Sequence, residues 1–184
     1  RRLVFLMVLA FIGLSTFAQK NAYRIEVQVE GLKDTSLLLG YHFGDKKFVS
    51  DTAKVDSKGV AVFTGDSLLK GGIYLVILPG KTYFEVLISD NQHFGIKTTK
   101  DKFHENLKFI NSPENDAFLE YQRFMIDMQA KNKDLSTQMK EALKDSVKSH
   151  ELKAKLDNLN ADVVKYWNSL IETHKGKLLA SLVK

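Results

Sequence analysis

The sequence predicts an α+β protein: an antiparallel β-sandwich or partly open barrel followed by a helical hairpin or small bundle. Two observations carry that prediction. Apart from Gly13 and Gly176, every glycine of the 184-residue chain lies between Gly31 and Gly95, among short β-branched and aromatic runs. The period also changes near Pro113. Before it, apolar residues alternate or form short unbroken runs, as strands do; after it they recur at three- and four-residue steps, as on a helix face.

"YRIEVQVE" sets Tyr23, Ile25, Val27 and Val29 against Arg24, Glu26, Gln28 and Glu30, the alternation of a strand with one wet face. "TSLLLGYHF" reads as a more buried strand. "KFVSDTAKV", the turn Asp56-Ser57-Lys58-Gly59 and "VAVFTG" predict a β-hairpin in which Gly59 supplies a positive φ. "GGIYLVILPGKTYFEVLIS" predicts a second hairpin, with Pro79 and Gly80 at the centre of its turn. Its strands, 73–78 and 83–88, are almost wholly apolar, as are strands buried on both faces or lying in a sandwich core. "HFGIKTT" and "LKFI" add two short strands.

At Ser112 the texture changes. Ser112 suits a helix N-cap, Pro113 the first helical position, and Glu114 and Asp116 the positive end of the helix dipole. Phe118, Tyr121, Phe124 or Met125, and Met128 then mark one face. Asn132-Lys133-Asp134 is expected to break this helix, with a second starting near Leu135. From Leu152, a heptad-like stripe through Leu156, Leu159, Val163, Tyr166 or Trp167, and Leu170 predicts a long helix, continuous or kinked, packed on its neighbour. Gly176 ends it, and "KLLASLVK" starts a further amphipathic helix.

The first 18 residues stand apart. Arg1 and Arg2 precede an apolar run from Leu3 to Leu14, too short for the roughly 20 residues that a bilayer core requires. Thr16-Phe17-Ala18 supplies small residues before a cut at Gln19, so 1–18 read as a secretory signal peptide. The remainder is expected to be exported to the periplasm or cell envelope, without a membrane anchor. The chain has no cysteine, so this is not a lipoprotein signal. Missing disulfides are no obstacle, because 19–184 is long enough to bury a core without them.

Composition and motifs exclude more than they assign. The formal charge is +5, but Arg1 and Arg2 supply two of those positives. No Lys/Arg run is interleaved with aromatics, so nucleic-acid binding is not expected. The five histidines, His42, His93, His104, His150 and His174, make no metal-ligand spacing and read as ordinary surface or partly buried residues. No nucleophile elbow, P-loop or dinucleotide fingerprint is present. Gly71-Gly72 reads as a turn leading into a strand. Asp116 and Glu120, one helical turn apart, read as solvated charge pairs with lysines. Tyr41 and Phe43, or Tyr83 and Phe84, are the aromatics placed to line a ligand groove; core and cross-strand pairing is their simpler reading. No catalytic, cofactor or metal residue is therefore assigned, and no cofactor is implied.

The stretch from "VEGLKDTSLLLGYHFGDKKFVSDTAKV" through "DSKGVAVFTGDSLLKGGIYLVILP", "YFEVLISDNQHFGI" and "FINSPENDAF" resembles the N-terminal region of bacterial envelope thiol:disulfide interchange proteins. In that family a signal peptide leads into a β-rich domain of unassigned function. A lysine-rich helical segment follows, then a thioredoxin-like domain whose Cys-x-x-Cys pair performs the redox chemistry. The leader and the change of texture divide this chain into a signal peptide at 1–18, a β domain at 19–111 and a helical segment at 112–184, the same order as in that family. None of the family's catalytic cysteines has a counterpart here. The chain is thus expected to be a fragment acting as a non-catalytic accessory region, not itself an enzyme, that positions a redox domain or binds client proteins. The alternative is a stand-alone exported module binding a peptide, glycan or small ligand.

Overall fold

A computed structural model describes residues 21–143 and 145–184; the expected signal peptide at 1–18 lies outside the described residues. Eight strands come first: β1 (Tyr23–Glu30), β2 (Ser36–Phe43), β3 (Lys46–Lys54), β4 (Val60–Gly65), β5 (Gly72–Ile77), β6 (Tyr83–Ile88), β7 (His93–Thr99) and β8 (Lys108–Ile110). Three helices follow: α1 (Pro113–Glu141), α2 (Ser146–Thr173) and α3 (Leu178–Leu182).

The strands form two separate four-stranded sheets, ordered β4-β1-β7-β8 and β3-β2-β5-β6, so the architecture is a sandwich and not a closed barrel. The alternation of β1 is realised residue by residue: Ile25, Val27 and Val29 are fully buried while Arg24 is exposed. They meet Leu37, Leu39, Val76 and Phe84 of the facing sheet. Side chains of this size contribute roughly 1.5–3 kcal/mol each when fully buried, so this inter-sheet layer dominates the stability of the β domain.

Two expectations about the strands need correction. The sheets are not wholly antiparallel, because β1 pairs with β7 in parallel, from Arg24 opposite His93 to Glu30 opposite Thr99. Parallel neighbours need a long crossover, and here it consists of the whole second sheet together with β4. The expected hairpin between 47–55 and 60–65 also does not form. Its turn closes as read, with Asp56 N–H donating to Val60 O and Asp56 Oδ1 accepting from Lys58 and Val60 N–H. The flanking strands then part: β3 pairs with β2, and β4 pairs with β1 in the other sheet. The turn is the corner between the layers.

The Pro79-Gly80 hairpin is as expected, β5 against β6, closed by Leu78 N–H donating to Thr82 O at 2.8 Å. Both of its faces are covered. One looks into the sandwich, and the other carries Leu87 and Ile73 into a second core with Phe118, Leu170, Leu179 and Val183.

The third correction concerns α1, which runs unbroken for 29 residues through Asn132-Lys133-Asp134. These residues contain no Gly or Pro, and a polar residue costs a helix interior only tenths of a kcal/mol. Two of their side chains also bond along the helix: Gln138 Nε2 donates to Asp134 Oδ2, and Ser136 Oγ to Asn132 Oδ1. The break falls instead after Ala142, where Asp145 caps α2 by accepting from Val147 and Lys148 N–H. α2 is one continuous helix of 28 residues.

Candidate functional site

The second sheet holds an aromatic cleft at one end. β2 and β3 are joined at Gly44-Asp45, with Gly44 at φ 58°. The register then sets Tyr41 opposite Phe48 on one side and opposite Tyr74 on the other. The Tyr41 and Phe48 rings stack with centroids 5.6 Å apart and an interplanar angle of 21°, and the Tyr41 and Tyr74 centroids lie 5.5 Å apart. Phe48 is on the core-facing side yet 41% exposed, so the sandwich does not cover this end of the hairpin.

The opposite wall is the connection from β4 to β5, residues 68–72. A buried glutamine braces it: Gln92 accepts from Leu69 N–H and donates to Leu69 O, both at 2.9 Å. Between ring row and wall lies a cleft of about 670 Å³, with His42, Ser50 and Lys70 as its polar groups. Burial, and then the neighbouring Tyr41, push the Tyr74 phenol above its ordinary value, while a backbone contact from Lys70 acts the other way. The cleft can hold a flat or apolar group against the rings and offer hydrogen bonds at its rim.

Of the smaller cavities elsewhere, two are larger than the rest. One of about 470 Å³ is bordered by Gln28, Lys33, Ser57, Lys58 and Lys97 at an end of the sandwich. The other, about 450 Å³, is an apolar groove of Met125, Met128, Leu159 and Trp167 between α1 and α2.

Of the aromatics singled out from sequence, Tyr41 lines the main cleft, whereas the side chain of Phe43 lies outside the described residues. Tyr83 and Phe84 diverge: Phe84 is buried in the inter-sheet core and Tyr83 is 42% exposed. Gly71-Gly72 leads into β5 as read and also forms part of the cleft wall. Asp116 and Glu120 are not ion-paired with lysine among the described residues. Instead, partial desolvation and then the charge of Glu120 raise the Asp116 pKa, against an opposing backbone contact from Phe109. The histidines are scattered, and among the described residues no three His, Cys, Asp or Glu side chains converge as a metal-holding group. Sequence reasoning missed Phe48 and Tyr74. The available signal was Phe48 itself, an aromatic set between lysines and polar residues in "KKFVSD".

Residues 23–118 match the family described as a domain of unknown function, DUF4369. The chain belongs to the DUF4369 family. No curated protein and no solved structure matches it. The DUF4369 region spans all eight strands and ends at Phe118, inside α1. It therefore includes the aromatic cleft and also the first turns of α1, beyond the composition boundary expected at 111. Those turns are tied to the sheet. Asn115 Oδ1 accepts from Leu87 N–H at 2.7 Å, and its Nδ2 donates to Leu87 O and Ser112 Oγ. Glu114 accepts from Ser89 Oγ and from Leu179 N–H, which joins the start of α3 to the same point.

Proposed function

We propose that this chain is the non-catalytic accessory region of an envelope thiol:disulfide oxidoreductase, and that its DUF4369 domain binds client polypeptide in the aromatic cleft. The observation that carries the reading is the stacked row Tyr41–Phe48, exposed at Phe48, beside a braced wall: a surface with room and stacking area. The resemblance to the N-terminal region of envelope thiol:disulfide interchange proteins supports the redox context. Disulfide exchange requires a thiolate. A chain with no cysteine therefore contributes binding and placement to that chemistry. The α1–α2 hairpin suits placement, since 29 helical residues span roughly 43 Å. The signal-like pattern of residues 1–18 supports an exported setting for this activity.

The purified full chain should not accelerate insulin reduction by dithiothreitol. It should bind reduced, S-alkylated insulin B chain, and F48S together with Y41A should weaken that binding about tenfold, the loss of roughly 1.4 kcal/mol of aromatic contact. Circular dichroism verifies that the variant is folded. Acceleration of insulin reduction, or binding indifferent to both substitutions, would overturn the reading. The same stacked rings also favour the stand-alone alternative, a module for glycan or small ligand. Displacement of the B chain by a panel of soluble oligosaccharides would select that alternative.

A further inference from the structure

The cleft has an open strand edge beside it. β3 is the outermost strand of its sheet and pairs with β2 alone. Its edge is not uniform. At Asp51 it is closed, because Asp51 Oδ1 accepts from Thr52 N–H at 2.7 Å while Oδ2 accepts from the Tyr23 hydroxyl at 2.9 Å. Ala53 beyond it is buried. Before Asp51, all five residues from Lys46 to Ser50 are exposed, including the large apolar pair Phe48 at 41% and Val49 at 57%. An unpaired edge presents a row of backbone donors and acceptors that another extended chain satisfies.

The charges around this edge specify the occupant. Lys46 and Lys47 lie on it, and Lys70 stands on the cleft wall; none of the three is ion-paired among the described residues. Asp45 is the single acid among residues 44–50, and both oxygens of Asp51 are engaged. A second copy pairing here would bring four lysines to one seam, which the charges disfavour. An acidic strand meets the opposite charge.

We propose that residues 46–50 accept an extended acidic peptide segment as a fifth strand of the second sheet. This deepens the client-binding reading and rests on it. Side chains alternate across the edge. Lys46 and Phe48 therefore share the cleft side, with Lys47 and Val49 on the other. The matching segment carries carboxylates opposite Lys46 and Lys47, an aromatic opposite Phe48 and a β-branched residue opposite Val49. Run antiparallel, that segment reads Val-Phe-Glu-Glu.

The test titrates fluorescein-labelled Ser-Val-Phe-Glu-Glu-Ser into the purified full chain and follows anisotropy. Its comparators are a Ser-Val-Phe-Lys-Lys-Ser peptide and a Glu-Glu peptide N-methylated at alternate amides. The lysine peptide should bind about tenfold more weakly, since two cross-strand attractions become repulsions, and K46E/K47E should reverse that preference. N-methylation should abolish binding, and the bound Glu-Glu peptide should slow amide exchange at residues 46–50. All substituted positions are exposed, so the fold is retained. Equal binding of the N-methylated peptide, or an unchanged preference in K46E/K47E, overturns strand addition. If insulin B chain still binds and still responds to F48S while ignoring K46E/K47E, strand addition fails and the client-binding reading stands. If neither the B chain nor the acidic peptide binds, both fall.

Discussion

Gly59 and Tyr23 show what single residues contribute at the seams between layers. Gly59 has φ 80°, and a Cβ there would lie 2.5 Å from Val29 O, so backbone conformation and space both demand glycine. G59A should cost about 2–3 kcal/mol, read as a shift in urea midpoint at unchanged m-value. Tyr23 crosses between the sheets: its ring packs on Gly65, where any Cβ would strike it, and its hydroxyl donates to Asp51 on β3. Burial first, then the hydrogen bond to Asp51 and its charge, push the Tyr23 phenol up to about 12. A raised folded-state pKa means that the folded protein holds its proton more tightly than the unfolded chain. The stabilisation is therefore complete below about 10, the unfolded value, and is lost as pH rises toward about 12. Y23F should remove that part of the alkaline decline, measured as the difference in Tm between the two proteins across this window. Curves that stay parallel would mean that the Tyr23–Asp51 bond contributes nothing.

Among elements, the join between β6 and α1 carries the most consequence. β6 is an edge strand, and Asn115, only 2% exposed, bonds both backbone groups of Leu87 as a neighbouring strand would. N115A strands a buried donor and a buried acceptor together. It should cost about 2–4 kcal/mol by urea denaturation, more than a typical surface change. From sequence, Ser112 was legible as the cap position and Pro113 as the first helical residue. Asn115 was not, because an asparagine one turn into a helix looks like any polar surface residue until the strand beneath it is known. The β3–β4 corner was misread for a related reason. Turn chemistry at Asp56–Gly59 is local and visible, but which sheet each flanking strand joins is decided by distant partners. The hairpin at Pro79-Gly80 was legible because its turn and its pairing coincide. The cleft was half legible: Tyr41 was in view, whereas Phe48 and Tyr74 became neighbours of it only through the β2 registers.

At the scale of the molecule, two cores share one sheet. The inter-sheet layer lies on one face of β5 and β6, and Leu87, fully buried, carries the other face into the cluster of Phe118, Leu170, Leu179 and Val183. The sandwich and the base of the helices should therefore unfold as one unit. The outer part of the α1–α2 hairpin has much less to hold it. In α1 the last buried side chain is Met128, and beyond it the seam relies on Ala142, Leu152 and Leu159, while Leu143 and Val147 are more than three-quarters exposed. The ion pairs there, Lys131–Asp127, Lys153–Asp157 and Lys155–Glu151, are exposed i,i+4 pairs worth a few tenths of a kcal/mol each. Native-state hydrogen exchange should accordingly give two classes of amide. Those of β1, β5 and the first two turns of α1 should exchange through global unfolding, and those of 131–156 through local opening at a free energy several kcal/mol lower. N115A should lower protection in the first class while leaving the second nearly unchanged, because the outer hairpin already opens without the sheet. Equal protection along the whole of α1 would instead make the hairpin a rigid extension of the sandwich, and the division into two stability classes would be wrong.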